Sequence, residues 1–117
     1  MPAPADDTRF EHATSSFLTG LASQGADYFA AAEQHYLASL RLVSGRPATL
    51  INLAATLLRL ARPAEALVYA ENAVRTQPGS ADALMHRATA VGQLGRLHNV
   101  LAAFQRLAAI DPGLATA

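Results

Sequence analysis

Residues 47–79 read PATLINLAATLLRLARPAEALVYAENAVRTQPG, and residues 81–113 read ADALMHRATAVGQLGRLHNVLAAFQRLAAIDPG. Offset by 34 residues, the two stretches align Leu50 with Leu84, Ala54 with Ala88, Leu60 with Leu94, Arg62 with Arg96 and Leu67 with Leu101. Alanine and leucine coincide cheaply in such a sequence. The Pro78-Gly79 pair meeting Pro112-Gly113 at the same offset does not. A fixed period of this length marks a repeat architecture, in which each unit buries its apolar face against its neighbours.

Each period divides into two helices. Leu50, Leu53, Ala54, Leu57 and Leu60 recur at three and four residues, one face of a helix. Pro47 suits a first-turn position, where the missing N–H costs nothing. Pro63 starts a second helix with Ala66, Leu67, Ala70, Ala73 and Val74 facing inward, and Pro78-Gly79 ends it. In the next unit Ser80 or Asp82 caps a helix carrying Leu84, Ala88, Val91 and Leu94. After Gly95 a further helix is expected, presenting Leu97, Val100, Leu101, Phe104, Leu107 and Ala108.

Residues 11–46 give a weaker copy. Phe29, Ala32, Tyr36, Leu40 and Val43 form an apolar stripe, but Ser16 and Ser23 fall where the other units have Leu50 and Leu57. A register shift, with an insertion near Gly25-Ala26-Asp27, is the expectation there. The domain reading is a flexible segment over 1–10, one domain over 11–112 with units at about 11–46, 47–80 and 81–114, and a tail over 113–117.

Composition excludes several classes of function. With 51% hydrophobic and 15% charged residues, the 117-residue chain folds, and its alanine-rich, aromatic-poor balance makes it all-α. The absence of cysteine removes disulfides and thiolate chemistry. A formal net charge of zero argues against a nucleic-acid partner held through phosphates. The start of the chain has no basic apolar stretch of signal-peptide type, and no apolar run approaches the roughly 20 residues of a membrane span. A cytoplasmic protein with no membrane partner is expected.

No catalytic constellation is present. No two of His12, His35, His86 and His98 form an i, i+4 pair, so no metal is expected, and the serines lack a nucleophile-elbow context. The glycines form no phosphate loop, so no cofactor and no enzymatic activity are expected.

The 34-residue helix-turn-helix unit, with small residues at the helix crossing and proline at its end, resembles the tetratricopeptide repeat (TPR). Leu84, Ala88, Val91, Gly95, Phe104 and Pro112 carry the likeness most clearly, with Leu50, Leu53, Ala54, Leu57, Ala66, Ala73 and Pro78 in the preceding unit. Val100 and Leu107, where that family prefers alanine, and the small Ala70 depart from it. The resemblance implies a right-handed superhelix of about three units, six helices in all, whose first helices line a concave groove for a peptide or a partner protein. That groove would present Ala48, Ile51, Asn52, Ala55 and Arg59, then Asp82, Met85, His86, Thr89 and Gln93, with Phe17, Leu18 and Leu21 from the first unit. Asn52 stands where many such repeats hold a peptide backbone through an amide. The chain has no lysine, however, and Asp82 and His86 stand where a carboxylate-clamping member has cations, so a mixed or apolar ligand suits better. Two other roles follow from the resemblance: a substrate-recruiting region of, or accessory to, a bacterial enzyme such as a methyltransferase or glycosyltransferase, or an oligomeric scaffold. The scaffold would assemble as a homo-oligomer through an uncapped C-terminal helix carrying Leu97, Leu101, Phe104, Ala108 and Ile110.

Overall fold

Proline and chirality set the boundaries of the helices. The computed structural model describes residues 5–110, with side chains from Thr8 onward. Its helices are α1 (Ala5–Gly25), α2 (Phe29–Leu42), α3 (Pro47–Arg59), α4 (Pro63–Thr76) and α5 (Ala81–Ile110). Helices α3 and α4 both begin on proline in the first turn, and Ser80 Oγ accepts the Ala83 N–H at 3.2 Å to cap α5. Helix α1 takes in residues 5–10, outside the domain as read from sequence, while the expected tail and the Pro112-Gly113 pair lie outside the described residues.

The turns repeat the period more faithfully than the side chains do. α1 ends with Asp27 at φ +63°, the Asp27 N–H donating to Gln24 O at 3.0 Å and Tyr28 N–H to Ser23 O at 2.8 Å. α3 ends in the same way: Ala61 has φ +59°, its N–H reaches Leu58 O at 3.1 Å, and Arg62 N–H reaches Leu57 O at 2.9 Å. Both are Schellman caps, and they lie 34 residues apart. α2 and α4 likewise start and stop 34 residues apart. The expected insertion near Gly25-Ala26-Asp27 is therefore absent: the first unit is in register, and its small Ser16 and Ser23 are offset by bulk on the opposite helix.

That bulk is Tyr36. Its ring is fully buried over Gly20 and lies 5.9 Å from Phe17, while its hydroxyl donates to Gln24 Oε1. One unit later the same two positions hold Ala54 and Ala70, both fully buried, so large-on-small becomes small-on-small. Ala32, Tyr36, Leu53, Leu57, Ala66 and Ala90 form the main core, and Leu50, Ala73 and Ala83 continue it toward α5. Arg62 pairs with Glu33 of α2 at 2.7 Å and with Glu65 in the first turn of α4, fastening the start of α4 to the first unit.

The third unit departs from the expected pattern. Among the described residues there are five helices, because α5 runs unbroken through Gly92 and Gly95 to Ile110 where a sixth helix was expected to fold back. Thirty-four residues earlier, Pro63 has no N–H for the Arg59 carbonyl and disfavours helix at Arg62, so the chain must turn. The equivalent residue is Leu97, which has an N–H and continues the helix. The molecule is accordingly long, 74 × 31 × 23 Å, with the end of α5 projecting beyond the other helices.

A candidate partner-binding groove

Groove positions on successive units share a face only if the units are in register. The Schellman turn of α1 meets that condition by bringing the start of α2 beside α3 and across an open cleft from α5. There Ala55 and Arg59 of α3 meet His86, Thr89 and Gln93 of α5 in one open cleft of about 420 Å³. These are five of the ten groove residues read from sequence for the second and third units. Four further residues line it that the sequence reading did not place: Gln24, Asp27, Phe29 and Leu58. Asp27 and Phe29 stand in a turn and at a helix start, where the apolar spacing within helices gives no signal.

The cleft is chemically mixed. The Arg59 guanidinium lies 4.9 Å over the Phe29 ring, a cation–π contact that fixes the side chain against one wall. No ion pair among the described residues engages it. Asp27 supplies an anion on the same rim, and Gln24 and Gln93 supply amides. Thr89 donates its hydroxyl to Met85 O at 2.8 Å, which leaves its oxygen free to accept from a ligand. Leu58 and the Phe29 ring add apolar wall. Such a set can hold an extended peptide by its backbone amides together with one acidic and one apolar side chain.

The other five residues lie elsewhere, among them Ala48, exposed at the start of α3. Asn52 donates its amide N–H to Ala48 O of its own helix at 2.8 Å, so that donor is committed. Ile51 packs against the Leu50–Ala73–Ala83 cluster, as part of the core. Asp82 and Met85 are exposed on α5 beyond the cleft. In the first unit Phe17 turns inward onto Tyr36, while Leu18 lines a separate shallow cleft with Phe10 and Thr14 along α1. Leu21 is exposed.

No group of three or more metal-ligating side chains occurs among the described residues, and no described helix is long and apolar enough to cross a membrane. No protein family's sequence profile matches the chain, and no curated protein does. Among solved structures the chain is similar to an Arabidopsis OM64 TPR domain, with a TM-score of 0.73 at 21% identity, over 89% of this chain and 86% of that one. In class, this is an all-helical repeat protein. Its fold is TPR-like, as the 34-residue period implies.

Proposed function

We propose that this chain is a protein-interaction module that acts by binding and not by catalysis, in the cytoplasm, as a right-handed superhelical TPR solenoid. Its concave cleft between α3, α5 and the α1–α2 turn holds an extended peptide segment of a partner protein. The observation that carries this reading is the convergence of Ala55, Arg59, His86, Thr89 and Gln93, separated by up to 38 residues in sequence, on one cleft. The TPR-like fold supports it. Arg59, anchored on Phe29, takes an acidic side chain or a carboxylate of the peptide, and the amides of Gln24 and Gln93 with the Thr89 oxygen take its backbone.

Selection from a displayed random-peptide library tests this. Enriched peptides should lose binding to Arg59→Ala and to Thr89→Trp, which fills the cleft, and should keep binding to Glu71→Ala on the exposed face of α4. Loss on Glu71→Ala with retention on both cleft variants would place the binding surface on the opposite side.

A further inference from the structure

Helix α5 carries two apolar stripes that the other described residues leave uncovered. In its first half Leu84, Ala88 and Val91 share one face, with Leu84 37% and Val91 54% exposed. Their equivalents in the preceding unit, Leu50, Ala54 and Leu57, are at most 4% exposed, because α4 folds back over them. In its second half Val100, Phe104 and Leu107 are 54%, 63% and 49% exposed. Their equivalents are Ala66, Ala70 and Ala73, the fully buried inner face of α4. One helix thus holds both sides of an α3–α4 type contact.

The straight helix keeps the two sides apart. At about 3.6 residues per turn the Leu84–Val91 stripe and the Val100–Leu107 stripe point to roughly opposite sides of the cylinder. A continuous rod cannot close on itself. Large uncovered apolar stripes of this kind mark a contact surface.

We infer that a second copy of this chain covers the Leu84–Ala88–Val91 face with its own residues 97–108, completing the third helical pair in trans. The internal repeat names the occupant: the uncovered face matches α3, and the uncovered stripe that matches α4 belongs to this same chain. In the first unit an aromatic, Tyr36, is fully buried over Gly20 at the position equivalent to Phe104; Ala88 adds a Cβ at the Gly20 position, so the two helices paired in trans sit wider apart than α1 and α2. Because the two stripes face opposite ways, a copy that gives its stripe to one neighbour offers its Ala88 face to another. The association is head-to-tail and heterologous.

Sedimentation across a wide concentration range, with mixing of variants, decides the matter. The wild type should form species that grow with concentration. Phe104→Asp removes the donor stripe and Ala88→Arg blocks the acceptor face, and each should weaken self-association by about 100-fold. Both residues are exposed, so circular dichroism should show helix content retained. Mixed together, the Ala88→Arg chain, with its intact stripe, and the Phe104→Asp chain, with its intact face, should form a one-to-one complex that grows no further. Leu97→Pro, which copies Pro63, should break α5, let the pair close within one chain, and give a compact monomer. A wild type that stays monomeric, an Ala88→Arg chain that associates as the wild type does, or a mixture that forms no complex would each overturn the inference. Neither Ala88 nor Phe104 lines the peptide cleft, so this inference and the proposed function fail separately.

Discussion

Gly20→Ala tests the packing at the first helix crossing, where two effects oppose. Gly20 lies within α1, so alanine should gain about 1 kcal/mol of helix propensity. Its Cβ, however, would sit 2.6 Å and 2.8 Å from Cε1 and Cδ1 of Tyr36. That ring has little freedom to yield, being fully buried, packed on Phe17 and held through its hydroxyl by Gln24. Overpacking of this kind costs up to about 3 kcal/mol, so a net loss of about 1–2 kcal/mol is expected. In thermal unfolding this is a drop in Tm of about 4–16 °C. Gly92→Ala provides the control: that glycine is also helical, but its Cβ would meet nothing within 4 Å, and about 1 kcal/mol of stabilisation is expected. Tyr36→Ala should cost about 3–5 kcal/mol alone and less in the Gly20→Ala background, since Ala54 and Ala70 show that two small residues pack there. A Gly20→Ala chain at least as stable as the wild type, or strict additivity in the double variant, would refute the reasoning.

Three further outcomes are expected. Ala61→Gly should raise stability by about 0.5–1 kcal/mol in urea unfolding, because a left-handed conformation strains alanine and suits glycine, the residue found at the equivalent position 95. Burial pushes the Tyr36 phenol up to about 12, so its contribution is complete below the ordinary tyrosine range near 10 and declines as pH rises toward 12; alkaline unfolding of Tyr36→Phe should lack that slope. The hydrogen bond from Arg62 holds the Glu65 carboxyl below the usual carboxylate range. Its contribution is therefore present above that range and lost as pH falls through the lowered value, and Glu65→Gln should flatten the acid limb of a stability–pH curve.

Much of the fold was legible because backbone punctuation is local. Pro47 and Pro63 are tolerated in the first turn of a helix and excluded from its interior, which fixes the starts of α3 and α4, and the apolar spacing that follows each leaves no alternative to a helix pair. The first unit was harder to read because its packing solution is exchanged across the pair: Ser16 and Ser23 look wrong until Tyr36, on the other helix, is seen to fill the space over Gly20. The end of the third unit was misread for the opposite reason. Gly95 invites a turn, but inviting is weaker than forcing, and Leu97 lacks the steric block that Pro63 imposes. Helix therefore propagates through both glycines.

The site was legible to the extent that it follows repeat position. Arg59 and Gln93 occupy equivalent places on successive units, as do Ala55 and Thr89, and they converge. Asn52 was expected in the groove by repeat position, yet it does not line the cleft and its amide finds a partner in Ala48 O of its own helix, a competition that spacing alone does not reveal. Asp27 and Phe29 come from a turn and a helix start, so periodicity within helices gave no reason to select them. Phe29 supplies the surface against which Arg59 is held.

A partner's peptide is proposed to lie in the cleft between α3, α5 and the α1–α2 turn. Titrating a library-selected peptide into isotope-labelled protein and mapping the amide chemical-shift changes tests it most directly. The largest changes should fall on Asp27, Ala55, Arg59, Thr89 and Gln93, and should be abolished in Arg59→Ala. Changes confined to the outer face of α4, or to the projecting end of α5, would contradict it.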